Sequence, residues 1–409
     1  MDYLDYDLGL GDEQRELREA AHKFAEEVLR PTGILLDRLP PAEMVAPGSP
    51  FFDVLRQAAE LGYTRLGGVV ELGGLGLSPL EQHLVLEELA WGSVGLTGAM
   101  FLASTHAQVA LLSGQRDLIE EFGAPFYACT DGSIIGCWAV TEPDHGSDTL
   151  GVMRPELTVK ATGQVVARRD GDDWILRGQK SAWVSNGPVA THAMLNVHLD
   201  PNGSFAQGGV CLLPLDLPGV SRGAPLDKHG FRSLPQGEIF FDDVRIPDRW
   251  MVLGTEEFAP YMANHLSAFN AGVGVLATGL ARAAYDTALD YTKQRVQGGR
   301  PIFEHQSVRA RLFRMFTLIQ AARSLSRGAW VYNLTQIEQQ KPAQLEHSIA
   351  SKVFCTEAAL EVATLAAQLH GGIGMSREYP VEMFLRDAAA FTIADGENAF
   401  LSQIGASLL

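Results

Sequence analysis

The stretch SIIGCWAVTEPDHGSD, residues 133–148, lies where the helical pattern of the sequence ends. Upstream of it, apolar residues recur every three or four positions, as in residues 12–30, which indicates amphipathic helices. The stretch itself opens as an apolar run typical of a strand and closes in a turn rich in Pro, Gly and Asp. Five further β-prone runs follow, and the helical spacing returns from about Glu256. This order of helices, strands and helices predicts an α+β chain with more than one domain.

A chain of 409 residues is too long for one ordinary hydrophobic core, so two or three packed units are expected. The changes of pattern predict an N-terminal helical domain at residues 1–128, a middle antiparallel β-domain at 129–250 and a C-terminal helical domain at 251–409. In the N-terminal domain, we expect Pro31 to end the first helix. We also expect Ser78 to cap the long helix that begins at residue 79.

The charge of the chain argues against nucleic acid as a partner. It has 49 acidic and 32 basic residues, a formal net charge of -17, and no run of Lys or Arg that could follow a phosphate backbone. The first residues are acidic and amphipathic, unlike a secretory signal, and no segment reaches about 18 consecutive apolar residues, so we expect no membrane span. The four cysteines are widely spaced and follow no metal-binding pattern, so we expect reduced thiols in a cytoplasmic protein and no zinc site. They are Cys129, Cys137, Cys211 and Cys355.

Three segments combine residue types that could bind a ligand. The turn TEPDHGSD, residues 141–148, offers backbone N–H groups and hydroxyls to a heteroaromatic ring or to phosphate oxygens, although an ordinary β-turn has the same composition. In GQKSAWVSNG, residues 178–187, Trp183 and Ser185 project to the same side of a strand, either to flank a flat ligand or as part of a core. In residues 368–380, three glycines break a helix, either for the close approach of a ligand or as a helix end.

The segment FTIADGENAF, residues 391–400, places Asp395 directly before a glycine. Two roles are open for this carboxylate. It is a candidate general base, and it is also a candidate N-cap for the helix that the following residues predict, because aspartate is among the best capping residues.

Taken together and in this order, the motifs of the chain resemble those of the acyl-CoA dehydrogenase family, from about residue 10 to residue 401. The motifs are TEPDHGSD (141–148), GQKSAWVSNG (178–187), GFRSLPQGEIFFDDVRIP (230–247), RVQGGRPIFEHQ (295–306), QLHGGIGM (368–375), EYPVEMFLRDA (378–388) and IADGEN (393–398). The resemblance implies an N-terminal helical domain, a middle β-domain and a C-terminal four-helix bundle, with FAD between the last two.

The resemblance also implies which side chains contact FAD. Those implied in the subunit that holds the flavin ring are Trp138, Val140, Thr141, Gly146, Ser147, Trp183 and Ser185. Those implied to reach the adenine and pyrophosphate end across a subunit interface are Arg295, His305, Gln306, Gln368, Gly371 and Gly372. Such sharing implies an oligomer, in this family usually a homotetramer built as a dimer of dimers.

The reaction that the resemblance implies removes the α-proton of an acyl thioester and passes a β-hydride to flavin N5, leaving a trans-2-enoyl thioester, with an electron-transfer flavoprotein as the acceptor. Counting from the RDA of residues 386–388 places Asp395 at the position of the family's base, with a side chain one methylene, roughly 1.5 Å, shorter than glutamate. Some members carry the base on another helix, where this chain has Phe269. Ser147, Ala394 and Gly396 are implied to face the substrate.

Several positions depart from the family pattern. Asn270 stands at the position where the family commonly has an arginine that helps to bind coenzyme A, and Ser267 stands at the position of that arginine's acidic neighbour. Without this pair, the thioester substrate can be that of a carrier protein as well as that of coenzyme A. Ala394 replaces a bulky tyrosine, which favours a branched or cyclic acyl group. The stretch GLTGAMFLASTHAQ, residues 95–108, has no basic residue, so the sequence does not support a dicarboxylic substrate.

Two alternatives stay open beside the dehydrogenase. A flavoprotein oxidase of the same fold, similar to nitroalkane oxidase, would also use an aspartate as its base. In that enzyme the base lies in a similar DGxN pattern, which residues 395–398 of this chain match. A degenerate member that binds flavin or a partner without catalysis is favoured by Asn270 and Glu397, and disfavoured by the intact TEPDHGSD and WVSNG motifs.

Overall fold

The computed structural model describes residues 9–154, 162–200 and 205–409, and it confirms the predicted order of helices, strands and helices. An N-terminal helical region leads into a β-sheet, and a region of long helices follows. The candidate site lies where the sheet region and the long helices meet, so the packing of these two parts decides its shape.

The N-terminal region is helical. Its helices are α1 (Asp12–Phe24), α2 (Arg30–Arg38), α3 (Pro41–Met44), α4 (Pro50–Glu60), α5 (Pro79–Gly92), α6 (Val94–Ala103), α7 (Thr105–Ser113), α8 (Arg116–Leu118) and α9 (Ala124–Ala128). Ser78 caps α5 as predicted, because its side chain accepts a hydrogen bond from the backbone N–H of Glu81. The prediction for Pro31 is wrong. A π-helical turn, Ala25–Leu29, widens the helix just before the proline, where its ring would otherwise meet the carbonyl of the preceding turn, so the helical backbone continues into α2.

The middle region is one sheet. Its strands are β1 (Gly136–Ala139), β2 (Val166–Asp170), β3 (Asp173–Ser185), β4 (His192–His198), β5 (Gly208–Pro214), β6 (Val220–Arg222), β7 (Gln236–Pro247) and β8 (Met251–Leu253). The order across the sheet is β6-β7-β3-β2-β4-β5-β8, with β1 beside β4. Most neighbours are antiparallel, as predicted, but β4 runs parallel to β1, with Trp138 opposite Met194, and to β2, with Val166 opposite His198. Neither β1 nor β2 is joined directly to β4, so no tight turn forces these pairs to be antiparallel.

The C-terminal region consists of α10 (Thr255–Gln294), α11 (Gln306–Glu338), α12 (Leu345–His370), α13 (Val381–Phe391) and α14 (Asn398–Leu408). A short hairpin of β9 (Val296–Gln297) and β10 (Arg300–Pro301) joins α10 to α11. Helix α10 is central, because it packs against α11, α12 and α5. Its 40 residues extend over about 60 Å, so its two ends serve different parts of the molecule.

Two apolar cores meet along α10. Leu266 and Phe269, near its start, pack with the core of the sheet, whereas its buried residues from Ala271 to Leu289 pack with the N- and C-terminal helices. This single helix therefore fixes the β-domain relative to the helical regions, because the side chains of both cores project from one rigid element.

A buried cluster of charges ties α5 to the C-terminal helices. Glu87 of α5 accepts hydrogen bonds from Arg282 of α10 at 2.9 Å and from Arg323 of α11 at 2.7 Å. Burial by itself would raise the pKa of Glu87, but the two guanidinium groups outweigh it and hold the pKa well below its usual range. Removal of one partner would leave an uncompensated charge in the interior, so the cluster fixes how these helices pack.

One apolar segment, Val94–Ser113, has the length and hydropathy of a membrane span. It comprises α6 and α7, and 78% of its most apolar 18 residues are buried inside the protein. The core helices of a folded domain have the same composition, so the segment is weak support for a membrane span.

Candidate active site

The loop that carries Asp395 contacts the turn that follows β1. The backbone N–H of Glu397 donates a hydrogen bond of 3.0 Å to Oγ of Ser147, across 250 residues of sequence. Ser147 begins a short 3-10 segment, Ser147–Met153, which also packs against α10 and α14. The fold thus brings together TEPDHGSD and FTIADGENAF, two motifs that are far apart in the sequence.

Two side chains fix the backbone of the Asp395 loop. Asp395 has a φ of 52°, in the left-handed region that few residues other than glycine adopt readily. Asn270 of α10 donates from Nδ2 to the backbone carbonyl of Asp395 at 3.1 Å, and Lys352 of α12 donates from Nζ to the carbonyl of Gly396 at 2.6 Å. Both carbonyls are thereby held, which keeps the strained conformation in place.

Asp395 does not cap the last helix, so that prediction is wrong. Glu397 is the N-cap of α14, and its carboxylate accepts hydrogen bonds from the backbone N–H groups of Ala399 at 3.0 Å and Phe400 at 2.9 Å. The helix begins at Asn398, and Asp395 lies too far upstream to reach its free N–H groups. The carboxylate of Asp395 is left free for another role.

Lys352 sets the charge around this carboxylate. It is fully buried under the loop, and its Nζ also donates to Oδ1 of Asn398 at 2.7 Å. Burial lowers the pKa of Lys352 to about 8, although the negative charge of Asp395 acts in the opposite direction. Loss of hydration raises the pKa of Asp395 above its ordinary value, and Lys352 opposes this rise. Asp395 as a residue is exposed, but the surrounding protein limits the water around its carboxylate.

An aromatic wall borders the site on the side of α10. The ring of Phe269 lies 4.7 Å from that of Trp138 on β1 and 5.2 Å from that of Phe101 on α6. His265 meets Trp138 edge-on at 4.5 Å, and burial lowers the pKa of His265 to about 3, so it is uncharged. The wall is aromatic and uncharged, as the linings of small-molecule pockets mostly are.

Strand β1 and the turn after it contain the first group of predicted cofactor residues. Cys137 and Ala139 are completely buried, and Trp138 and Val140 on the other face are also buried but keep 8% of their surface accessible. Beyond them, Oγ1 of Thr141 lies 2.8 Å from Oγ of Ser181, and a Cβ added to Gly146 would meet no atom within 4 Å. The strand and the turn together contain an aromatic ring, hydroxyls and open backbone, a combination that fits a flat heteroaromatic group with phosphates.

Strand β3 contributes a second aromatic surface. Trp183 is 59% exposed, whereas the neighbouring Val184 is buried. Ser185 lies on the same side as Trp183, and its Oγ accepts a hydrogen bond of 3.0 Å from Nε2 of Gln236. Such exposure is unusual for a tryptophan in a strand and leaves its face free to stack on a ligand.

The remaining predicted cofactor residues lie at the other end of α10. Arg295 follows the last residue of α10 and is exposed, His305 is the N-cap of α11, and Gln306 is the first residue of that helix. Nε2 of His305 lies 3.1 Å from the carbonyl of Gln297, so its ring is fixed against the β9–β10 hairpin.

Gln368, Gly371 and Gly372 are exposed near the same end. Tyr291, near the end of α10, packs against this segment, because its ring stacks on the ring of His370 at 4.1 Å. A side chain on either glycine would meet no atom within 4 Å, so the backbone here is open. The rise of an α-helix places this end roughly 35 Å from Phe269, so a single chain does not bring its two groups of predicted cofactor residues together.

Sequence reasoning missed the roles of Lys352 and Asn270. Lys352 is one helical turn from Ser348 and close to one turn from Cys355 and Thr356, all of them buried, so the helical spacing of small residues around this lysine is a sequence signal of its burial. At Asn270 the sequence shows only the replacement of an arginine that is common in the family. Its contact with Asp395 depends on how a loop 125 residues away folds back, and no local pattern reports that.

Three family models match successive parts of the chain. They are Acyl-CoA dehydrogenase, N-terminal domain, at residues 11–126, the middle domain at 137–244 and the C-terminal domain at 260–409. Benzylmalonyl-CoA dehydrogenase of Aromatoleum aromaticum is 30% identical over 407 residues, which cover 97% of this chain and 98% of that protein.

Solved structures resemble the whole chain. Butyryl-CoA dehydrogenase from Megasphaera elsdenii matches with a TM-score of 0.85 at 28% identity, over 98% of this chain and 99% of its own. A chain of the structure described as the electron transferring flavoprotein of Acidaminococcus fermentans matches with a TM-score of 0.86 at 27% identity, over 98% and 99%.

Proposed function

The chain belongs to the acyl-CoA dehydrogenase family, whose members are FAD flavoproteins that dehydrogenate acyl thioesters, and on this premise we propose that Asp395 is its catalytic base. The protein is an oxidoreductase with FAD as its cofactor. In the proposed reaction, the carboxylate of Asp395 takes the proton from the α-carbon of the thioester. The electron pair of that C–H bond becomes the Cα=Cβ double bond as a hydride leaves the β-carbon.

The hydrogen bond between Glu397 and Ser147 is the observation that carries this proposal. It places the Asp395 loop against the turn whose residues match the family's flavin motif. Glu397 accepts the hydrogen bonds of the free N–H groups at the start of α14, so Asp395 is not required there. Within the described ranges, no group donates a hydrogen bond to the carboxylate of Asp395. Restricted hydration raises its pKa, which brings the base nearer to neutral pH and makes it a stronger proton acceptor.

We propose that the cofactor is held by the residues that the motifs indicate. On the site of one subunit these are Trp138, Val140, Thr141, Gly146, Ser147, Trp183 and Ser185. Bound FAD supplies the acceptor for the hydride that leaves the β-carbon. The exposed ring of Trp183 supports this assignment, as does the open backbone at Gly146, because a bulky side chain there would occupy the approach to a phosphate.

We also propose that a second subunit completes the cofactor site. Arg295, His305, Gln306, Gln368, Gly371 and Gly372 lie together at the distant end of α10, about 35 Å from the aromatic wall. One protomer of a homotetramer can offer them to its neighbour. The substitution Arg295→Glu tests this proposal. Sedimentation gives the oligomeric state of the wild type and of the variant, and flavin absorbance gives the FAD bound per subunit. We expect the variant to bind less FAD although Arg295 lies far from the Asp395 loop, and unchanged FAD content would contradict the proposal.

The substrate is proposed to be an acyl thioester of CoA or of a carrier protein. Asn270 holds the backbone of Asp395, so its side chain is engaged within the site, and this supports a thioester carrier bound by other groups. The small side chain of Ala394, next to the base, supports a branched or cyclic acyl group. We further propose an electron-transfer flavoprotein as the acceptor and the cytoplasm as the compartment, the latter because Cys129, Cys137, Cys211 and Cys355 are free thiols.

Anaerobic reduction of the purified flavoprotein tests the function. A panel of straight, branched and cyclic acyl-CoAs, and nitroethane, is mixed with the enzyme while flavin absorbance is followed. Bleaching by an acyl-CoA that persists until an artificial acceptor is added supports the dehydrogenase. Bleaching by nitroethane alone, reversed rapidly by air, would show the oxidase instead. Bleaching by none of these compounds would favour the non-catalytic alternative.

A further inference from the structure

The side-chain amide of Gln236 on β7 lies between Lys228 and the exposed residues of β3. On one side, Oε1 of Gln236 accepts a hydrogen bond of 2.7 Å from Nζ of Lys228. On the other side, Nε2 of Gln236 donates to the backbone carbonyl of Trp183 at 3.3 Å and to Oγ of Ser185 at 3.0 Å. Trp183 and Ser185 are the two residues of β3 that we assign to the cofactor site, so one side chain of the neighbouring strand holds both.

The contacts of Gln236 fix which end of its amide faces the cofactor site. The backbone carbonyl of Trp183 can only accept a hydrogen bond, so it requires the NH₂ group of the amide. Nζ of Lys228 donates to the backbone carbonyl of Leu234 at 2.6 Å as well as to Oε1 of Gln236. Burial lowers the pKa of Lys228 to about 7, but the ammonium and the neutral amine both have the two hydrogens that these oxygens need. The reversed amide would set its oxygen against the carbonyl of Trp183.

This orientation decides the direction of the Ser185 hydroxyl. Because Oγ of Ser185 accepts the N–H of Gln236, its own O–H hydrogen is available to donate elsewhere. Among the described residues, Oγ of Ser185 has no other hydrogen-bond partner. Ser185 is half-buried and lies on the same side of β3 as the exposed Trp183. The partner that its O–H lacks is therefore an acceptor atom of a ligand on this side of the strand.

The loop that carries Lys228 is fixed to two helices. Nε of Arg232 donates to the backbone carbonyl of Asp37 on α2 at 2.7 Å, and its Nη1 donates to the backbone carbonyl of Lys228 at 2.8 Å. Oδ1 of Asp387 on α13 accepts a hydrogen bond of 2.6 Å from the backbone N–H of Phe231. The position of Nζ thus depends on helix packing, and the amide that it orients is held in place before any ligand binds.

We propose that Gln236 and Lys228 are positioning residues of the cofactor site. Lys228 orients the amide of Gln236, and the amide turns the O–H of Ser185 toward an acceptor atom of the flavin ring. The inference rests on the proposed function, because it takes the flavin as the ligand of Trp183 and Ser185. Reduction adds electrons to the ring, so a donor fixed beside it stabilises the reduced form more than the oxidised form. The hydrogen-bond network of Lys228, Gln236 and Ser185 should therefore raise the reduction potential of bound FAD.

Gln236→Glu tests the proposal with the FAD-loaded protein. The new side chain keeps its size and still accepts from Lys228, but its carboxylate has no hydrogen to donate, so Ser185 must donate to it instead of to the flavin. We expect the equilibrium constant for reduction of FAD, measured against redox dyes without substrate, to fall about tenfold, or by about 30 mV for two electrons. The visible absorbance bands of bound FAD should shift in the same direction as in Ser185→Ala.

Two comparisons separate the direction of the hydroxyl from other effects of the substitution. In a Ser185→Ala background, Gln236→Glu adds the same charge but has no hydroxyl to turn, so it should change the potential much less than it does in the wild type. Gln236→Leu adds no charge and leaves the hydroxyl undirected, so the equilibrium constant should fall by only about threefold.

Gln179→Leu is the matched control for Gln236→Leu. Gln179 is a half-buried glutamine of β3 that donates across the same pair of strands, to Oε1 of Glu238 at 2.9 Å. Its replacement should leave the absorbance bands and the potential of FAD unchanged.

Several results would overturn the positioning role. They are a wild-type potential in both Gln236 variants, an equal effect of Gln236→Glu with and without the Ser185 hydroxyl, and loss of FAD from both Gln236 variants when Ser185→Ala retains it. A lower unfolding midpoint with no change of potential would make Gln236 a residue of the fold alone. Because the potential is measured without an acyl thioester, failure of every acyl-CoA to reduce the flavin would overturn the proposed function and leave this result standing.

Discussion

The side-chain amide of Asn270 donates a hydrogen bond of 3.1 Å to the backbone carbonyl of Asp395, 125 residues further along the chain. Asn270 follows Phe269 on α10, so one helix supplies both the aromatic wall of the site and the support of its proposed base. Because α10 is rigid and central, the position of Asp395 relative to the wall is set by helix packing rather than by the loop alone. This arrangement leads to four predictions.

Asp395→Asn should abolish reduction of the flavin by substrate while FAD stays bound. The amide is nearly isosteric and tolerates a positive φ, but it cannot accept the α-proton at neutral pH. We expect the rate of anaerobic reduction in a stopped-flow experiment to fall by about 10² to 10⁴, the range typical of a general base. The FAD absorbance spectrum and the unfolding midpoint should match those of the wild type. A rate within a factor of a few of the wild type would place the base elsewhere.

The pH dependence of kcat/KM should show an acid limb above the ordinary pKa of aspartate. Restricted hydration raises the pKa of Asp395, so activity should be lost as the pH falls through this raised value and the base becomes protonated. Lys352→Met removes the charge that opposes the rise, and the acid limb should move to higher pH. A limb that stays in place in Lys352→Met, in a protein that still binds FAD, would contradict the electrostatic role of Lys352.

Asn270→Leu should slow substrate oxidation by roughly fivefold, the equivalent of one hydrogen bond of about 1 kcal/mol that positions the base. Its matched control is Asn264→Leu on the same helix, which removes a hydrogen bond of 3.0 Å to the backbone N–H of Ala343, a contact that does not involve Asp395. Both variants should lose similar stability in urea. Equal effects on kcat would mean that Asn270 has no positioning role.

Glu397→Ala should destabilise the start of α14, with a loss of about 1 kcal/mol in the free energy of unfolding measured by urea titration. Glu397→Gln keeps an oxygen acceptor and should lose less. Asp395→Gly, which removes the carboxylate and tolerates the positive φ, should show no capping loss, because the cap is Glu397. If Asp395→Gly proved as destabilising as Glu397→Ala, the cap would have to be shared by both residues.

The sequence by itself determined the order of helices, strands and helices, because hydrophobic spacing is a local property that tertiary contacts rarely reverse over long segments. It also located Ser78 as a cap, and it placed Trp183 and Ser185 on one side of a strand, since alternation along a strand follows from the backbone alone. The motifs for the flavin site and the position of Asp395 came from the same linear order.

Only the tertiary structure excluded Asp395 as the cap of the last helix. A helix start is specified within one turn, and both Asp395 and Glu397 carry a carboxylate that can accept hydrogen bonds from backbone N–H groups. In the folded loop the cap is Glu397. The contacts of Asn270, Lys352 and Ser147 with this loop join segments that are 44 to 250 residues apart, so no local pattern could report them.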